Sequence, residues 1–198
     1  KNLIIGFLEN RSLSKQSSES INNDQSIKYL SSSYDATDRL RILFKSQFSR
    51  NKSKSDRLQT RNYNIHSIKL NPGINLTVNR SWNVGIEMSY TKKEDKNPIE
   101  EVKADILKLA TSHRTYLWNK VQANINLEFR NTRLKGNSSS YGNYEMTEGT
   151  GEGSNLIWSL NSSYRTKSLI RFSLQYDGRT VTDRPSIHTV KFQVSANF

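Results

Sequence analysis

Residues 121–130 read Val121, Gln122, Ala123, Asn124, Ile125, Asn126, Leu127, Glu128, Phe129, Arg130. Every odd position is apolar and every even one is polar or charged. A period of two is the mark of a β-strand, because successive side chains point to opposite faces. One face of this strand needs an apolar medium, and the other needs water. Working outward, the pattern recurs. Ile68, Leu70, Pro72, Ile74, Leu76 and Val78 alternate with Lys69, Asn71, Gly73, Asn75 and Thr77. Trp82, Val84, Ile86, Met88 and Tyr90 alternate with Asn83, Gly85, Glu87 and Ser89. Leu40, Ile42, Phe44 and Phe48 oppose Arg41, Lys45 and Gln47, and Leu156, Trp158, Leu160 and Tyr164 oppose Ser159, Asn161 and Ser163. Ile170, Phe172, Leu174 and Tyr176 oppose Arg171, Ser173, Gln175 and Asp177, and Val190, Phe192, Val194, Ala196 and Phe198 oppose Lys191, Gln193, Ser195 and Asn197.

Three segments are less regular. Residues 2–9 and 27–35 are strand-like without fixing their own register. In residues 102–117, Ile106 adjoins Leu107, which suggests a switch of face through a bulge. Pro72 lacks an N–H to donate, so a bulge or a broken ladder is expected there.

The connections have a rhythm of their own. Tight turns are expected near Ala36–Asp38, Asn79–Ser81, Leu117–Lys120 and Arg165–Lys167, and longer polar stretches near 10–24, 51–62, 93–101, 135–153 and 178–186. Short and long connections alternate strictly, as in transmembrane barrels with short turns on one side and long loops on the other. Tyr34, Trp82, Tyr90, Trp118, Trp158, Tyr164 and Tyr176 fall at or near strand ends, where interfacial girdles place such rings.

Composition is consistent with this. Hydrophobic residues make up 33% of the 198, low for a globular core, while 10% aromatics argue against disorder. No apolar run reaches the length of a membrane-spanning helix, but barrel strands need only about ten alternating residues. Cysteine is absent, which excludes disulfides, cysteine-ligated zinc and a thiol nucleophile. The formal charge is +12, spread over the chain, with one denser group at Arg50, Lys52, Lys54, Arg57 and Arg61. A basic balance raises nucleic acid or an anionic membrane surface as partners; the strand pattern favours the membrane, and no nucleic-acid partner is expected. Residue 1 is Lys, so the chain reads as a processed form or a fragment.

The sequence suggests little chemistry. His66, His113 and His188 share no metal-ligand spacing. Glu94-Asp95 and Glu100-Glu101 lie among Lys92, Lys93 and Lys96 and read as a charge-balanced loop rather than a catalytic pair. Gly149-Thr150-Gly151-Glu152-Gly153 lacks the following helix that a phosphate loop requires. No catalytic, cofactor or metal site is expected, and no enzyme. The polar faces matter more: Arg41, Lys45, Lys69, Glu87, Glu128, Arg130, Arg171 and Lys191 would each be costly in lipid, so they are expected to face a wet lumen, a plug or one another. An open lumen of this charge would favour anions, and a closed one would pair its charges.

The last strand resembles the C-terminal signature of bacterial outer-membrane barrels, in which a final Phe follows apolar residues at every second position. Here these are Val190, Phe192, Val194, Ala196 and Phe198. The resemblance implies recognition by the barrel-assembly machinery, an outer-membrane location, and outer-membrane lipid and other envelope proteins as partners. Tyr176–Arg179, Arg184–Thr189 and the final strand also resemble the ends of large Bacteroidota-type envelope barrels, including those of type 9 secretion, which implies a longer polypeptide before Lys1. The expected fold is therefore all-β, an antiparallel up-and-down transmembrane barrel of about ten strands over residues 1–198 as a single domain, complete or part of a larger barrel. Its role is membrane anchor, pore or translocon wall. The rivals are a soluble basic β-sandwich binding nucleic acid or polysaccharide, and a surface fibre or adhesin segment.

Overall fold

The computed structural model describes residues 2–16, 19–58, 62–96, 102–118, 120–136, 140–166, 170–182 and 184–196. Ten strands follow one another: β1 (Asn2–Gln16), β2 (Glu19–Asp35), β3 (Leu40–Ser55), β4 (Tyr63–Asn79), β5 (Trp82–Asp95), β6 (Val102–Leu117), β7 (Val121–Lys135), β8 (Gly153–Arg165), β9 (Ile170–Val181) and β10 (Arg184–Ala196). One helix, α1 (Ser140–Met146), lies between β7 and β8. The strands form a single sheet in sequence order, each antiparallel to the next, which is the up-and-down topology expected.

Directly paired residues share a face, so the register assigns every side chain. Leu127 pairs with Thr111 and Trp158, and Glu128 pairs with Ala110 and Ile157. Carried across the sheet, this puts Ile42, Phe44, Ile68, Leu70, Ile86, Met88, Leu107, Leu109, Phe129 and Leu156 on one uncovered apolar face. The opposite face is polar and the less exposed of the two along β5 and β7, as the concave side of a curved sheet is, and a hollow of about 460 Å³ on it is lined from Asn75 on β4 across to Asn126 on β7. The apolar faces do not meet in a shared core, as a sandwich would need.

The apolar band approaches the height of about 25 Å that the lipid-facing band of an outer-membrane barrel has. From Trp82 to Tyr90 the outward residues are Trp82, Val84, Ile86, Met88 and Tyr90. Eight steps of about 3.4 Å, tilted by about 40°, give a height of about 21 Å. Beyond the band, the strands continue. The expected loops at 10–24 and 178–186 are largely paired strand, with β1 meeting β2 from Asn2↔Ser33 to Gln16↔Glu19. Polar residues on both faces erase the period-two contrast there, yet the backbone still gains ladder bonds. Sequence alone therefore overstated the long connections.

Two local expectations resolve differently. At Ile106 there is no bulge: β6 keeps one register with both neighbours from Val102 to Leu117. Ile106 is buried on the concave face while Leu107 points outward. At Pro72 the ladder to β5 skips from Leu70↔Tyr90 to Gly73↔Glu87 without changing register, a broken ladder rather than a bulge. The tight turn at 36–38 is built by Thr37, whose Oγ1 accepts from the Leu40 amide at 3.0 Å.

The sheet is not closed. β1 and β10 each pair on one side only. Ile5 and Phe192 are 76% and 64% exposed, against 40% for Ile86 within the sheet, which measures the missing neighbour. At the β10 edge, Gly178 lies between Trp158 and His188. A Cβ at Gly178 would collide with the Trp158 indole, which leans across the glycine to meet His188 at a ring distance of 5.6 Å. Gly178→Ala is therefore expected to displace Trp158 and cost about 1–2 kcal/mol. In a Trp158→Ala background the same change should cost nothing, so urea unfolding of the four variants in detergent would expose a wrong assignment as simple additivity.

Candidate functional site: a segment latched to the concave face

All eight charged residues singled out above, from Arg41 to Lys191, lie on the concave face. Arg41 pairs with Asn75, Lys45 with Asn71, Lys69 with Thr91, Glu87 with Gly73, Arg130 with Asn155, and Lys191 with Gln175. They do not converge on one centre. Arg41 is ion-paired with Asp35, and Glu128 with Arg130, whereas Lys45, Glu87, Arg171 and Lys191 have no ion pair among the described residues. Near the short turns this face is lined by Asn75, Asn83, Ser112, Arg114 and Asn124, a polar surface that suits water.

The loop end differs. Between β7 and β8 the chain turns back over the concave face as α1. Its last residue, Met146, is fully buried among Ile65, Val102 and Ala104, with Tyr63 and Leu134 alongside. This is the only apolar cluster of buried residues identified among the described ones. After Met146, Glu148 and Gly149 take positive φ angles of 53° and 75°, which ends the helix, and the Gly149 amide donates to the Tyr144 carbonyl at 2.9 Å.

That reversal aims Glu148 at the sheet. Its carboxylate lies 3.3 Å from Lys93 Nζ and 3.2 Å from Arg130 Nη1. Arg130 also reaches Glu128 at 2.8 Å, and Glu128 reaches Lys108 at 2.7 Å. Lys93 Nζ donates to the Glu145 carbonyl at 2.8 Å. The result is a five-member chain of alternating charge, Lys108–Glu128–Arg130–Glu148–Lys93, binding the segment to three strands. Burial alone would raise the Glu148 pKa, but the Lys93 and Arg130 charges outweigh it and hold the carboxyl below its ordinary value.

Sequence reasoning found Glu128 and Arg130 but missed Lys93, Lys108, Met146 and Glu148. The available signal was Val102, Ala104 and Ile106, three apolar residues on a face that is polar elsewhere. The remaining candidates separate. Glu94 and Asp95 point to opposite faces, as neighbours on a strand must, while Glu100 and Glu101 lie outside the described residues. His66, His113 and His188 sit outward on β4, β6 and β10. Of the apolar positions in the last strand, Val190, Phe192, Val194 and Ala196 point outward, with Phe192 stacked on Phe172 at 6.4 Å, and Phe198 lies outside the described residues.

No protein-family model matches the chain, and no curated protein matches it by sequence. Solved structures do match in fold. The translocator domain of the autotransporter NalP from Neisseria meningitidis aligns with a TM-score of 0.52 at 10% identity, over 97% of this chain and 73% of that one. OmpT expressed in the outer membrane of Vibrio cholerae aligns at 0.54 and 10%, over 85% of this chain and 53% of that one. A loop L8 deletion mutant of the same OmpT aligns at 0.57 and 11%, over 93% and 60%. The chain has the antiparallel fold of outer-membrane β-barrels, and it spans just over half of OmpT.

The latch carries a prediction. Glu148→Gln or Met146→Ala should release the 140–150 segment, each weakening its docking by about 1–3 kcal/mol. Because the Glu148 pKa is depressed when docked, its contribution is full above the free carboxyl value of about 4.3 and declines as pH falls below it. Protection of the 140–150 amides, taken relative to the intrinsic exchange rate at each pH, should fall in both variants at pH 7 and in the parent chain only on acidification; protection unchanged in Glu148→Gln would refute the latch.

Proposed function

We propose that this chain is the wall of an outer-membrane β-barrel, serving without catalysis as an anchor or translocon wall whose lumen is restricted at the loop end. One observation carries this: an uncovered apolar band runs across all ten strands, backed by a concave face bearing Arg, Lys and Glu. In lipid every backbone polar group must be paired internally, and a closed antiparallel wall achieves this. The likeness to the NalP translocator domain and to OmpT supports the reading. The latched segment favours a plugged or gated lumen over a freely open pore, and the unpaired cations near the short turns favour anions in whatever water fills that end.

The free edges of β1 and β10 must find partners, since in lipid an open edge leaves its N–H and C=O groups unsatisfied. Either the two edges join each other or further strands complete a larger ring. The alternating residues Val190 to Ala196, with Phe198, are the part we assign to the barrel-assembly machinery. The narrower likeness to Bacteroidota-type barrels rests on residues 176–198 alone.

Refolding the 198-residue chain into detergent micelles tests the reading. A band that migrates faster before boiling than after, with β-rich circular dichroism, is expected of a self-closed barrel. Detergent-dependent but aggregated material would instead mean an arc that needs more strands, and solubility without detergent would end the membrane reading. In refolded protein, Leu127→Arg should cost about 2–4 kcal/mol and Asn126→Arg far less, because only the first puts a cation into lipid.

A further inference from the structure

Just beyond the apolar band, the outward face of β2–β5 forms a hollow of about 460 Å³. Its floor is Phe48 and Ile68, the outward apolar residues of β3 and β4 closest to the loop end. In the row they form across the sheet, Lys28 pairs with Phe48 and Lys92 with Ile68, so a lysine flanks each end. One row further from the band, Arg50 pairs with His66. Lys96 completes the rim, and Glu94 is the one carboxylate in the lining. In the lining four cations meet one acid, and Asp105, held by the Tyr90 hydroxyl, stands opposite Lys92 in the next strand. Glu94 is 3.7 Å from Lys92, and Arg50 donates to Asn64 Oδ1 at 3.0 Å. Lys28 and Lys96 have no ion pair among the described residues. On a water-exposed protein surface such a cluster would be unremarkable. Here it borders lipid, on the outside of the wall.

We infer that this hollow binds the phosphorylated headgroup of a membrane lipid in the leaflet nearest the long connections. The inference rests on the membrane reading above and goes beyond it by naming a ligand class and a site. Geometry selects an amphiphile over a soluble anion. An acyl chain following the outer surface of the sheet lies against Ile68, Phe48 and the band below, and its headgroup then sits level with Lys28, Arg50 and Lys92. Arg50 offers a planar fork for phosphate oxygens, and the lysines supply mobile point charges on apolar stems. Three cations acting together near an anionic membrane surface favour a phosphorylated lipid by well over tenfold.

The test uses the full chain refolded in micelles, with native mass spectrometry reading retained lipid. The probes are bis-phosphorylated lipid A, its dephosphorylated form, and inorganic phosphate. Expected is retention of the phosphorylated lipid at least about tenfold above the dephosphorylated one, with no displacement by millimolar phosphate. The triple variant Lys28→Gln, Arg50→Gln, Lys92→Gln should abolish the preference, while Arg80→Gln with Lys120→Gln, in turns at the opposite rim, should keep it. Equal retention of both lipids by the parent chain overturns the inference, and it needs no variant to fold. Displacement by inorganic phosphate overturns the lipid source. Failure of the membrane reading is seen separately, as solubility of the same chain without detergent.

Discussion

A one-residue slip anywhere between β3 and β8 would turn Lys45, Lys69, Glu128 and Arg130 outward and bring Phe44, Leu70, Leu127 and Phe129 inward, because side chains alternate with a period of two. The register forbids it. β6 and β7 stay in step from Lys103↔Lys135 to Leu117↔Val121, and β2 and β3 from Ile21↔Ser55 to Asp35↔Arg41. Irregularities are kept to strand ends, at Thr77/Asn79 and Arg184/Ile187. Even Pro72 interrupts the ladder without moving it. In lipid the two faces cannot be exchanged cheaply, so the alternation, the short turns and the curvature follow from holding this one register.

The same constraint explains why the two edges stand out. Pairing can continue only where a neighbour exists, and β1 and β10 lack one. The exposed Leu3, Ile5 and Phe7 on one edge and Val190 and Phe192 on the other are apolar on the lipid-facing side, as in the interior strands. The β1 edge carries neither a charge nor a proline from Leu3 to Leu8, whereas β10 points Lys191 inward and has Pro185 near its start, so β1 is the less guarded of the two edges.

How much of this was legible in the sequence depends on contrast between faces. Where one side chain in two had to meet lipid, as in Val121–Arg130 or Trp82–Tyr90, strand, register and facing could be read directly. Where both faces are polar, as in Asn22–Gln25 against Asn51–Lys54, the pattern vanishes although the ladder persists, and strand looked like loop. α1 was illegible for another reason: seven residues make two turns, too few to show a 3.6-residue period. Its footprint was visible on its partner, in Val102, Ala104 and Ile106. Reading Ile106-Leu107 as a bulge mistook a two-sided strand for a shifted one. The latch charges hid because Lys93 and Lys108 looked like any solvated lysine until Glu148 was brought to them through space.

The distribution of the +12 charge gives the two ends of the molecule different physics. Within the concave face at the loop end, Glu128 and Glu148 offset two of the three positive charges of Lys93, Lys108 and Arg130, and Met146 is buried nearby. Toward the short turns the concave face keeps Lys45, Arg171 and Lys191 unpaired, which is tolerable only with water present. Outside, between the apolar band and the loops, cations again exceed acids at Lys28, Arg50, Lys92 and Lys96. The paired region lies behind β4–β7, and the basic outer patch lies on β2–β5. Strands β4 and β5 belong to both, with Ile65 and Lys93 inside and His66 and Lys92 outside, each one residue apart. The outer hollow and the latch are thus the two faces of the same pair of strands.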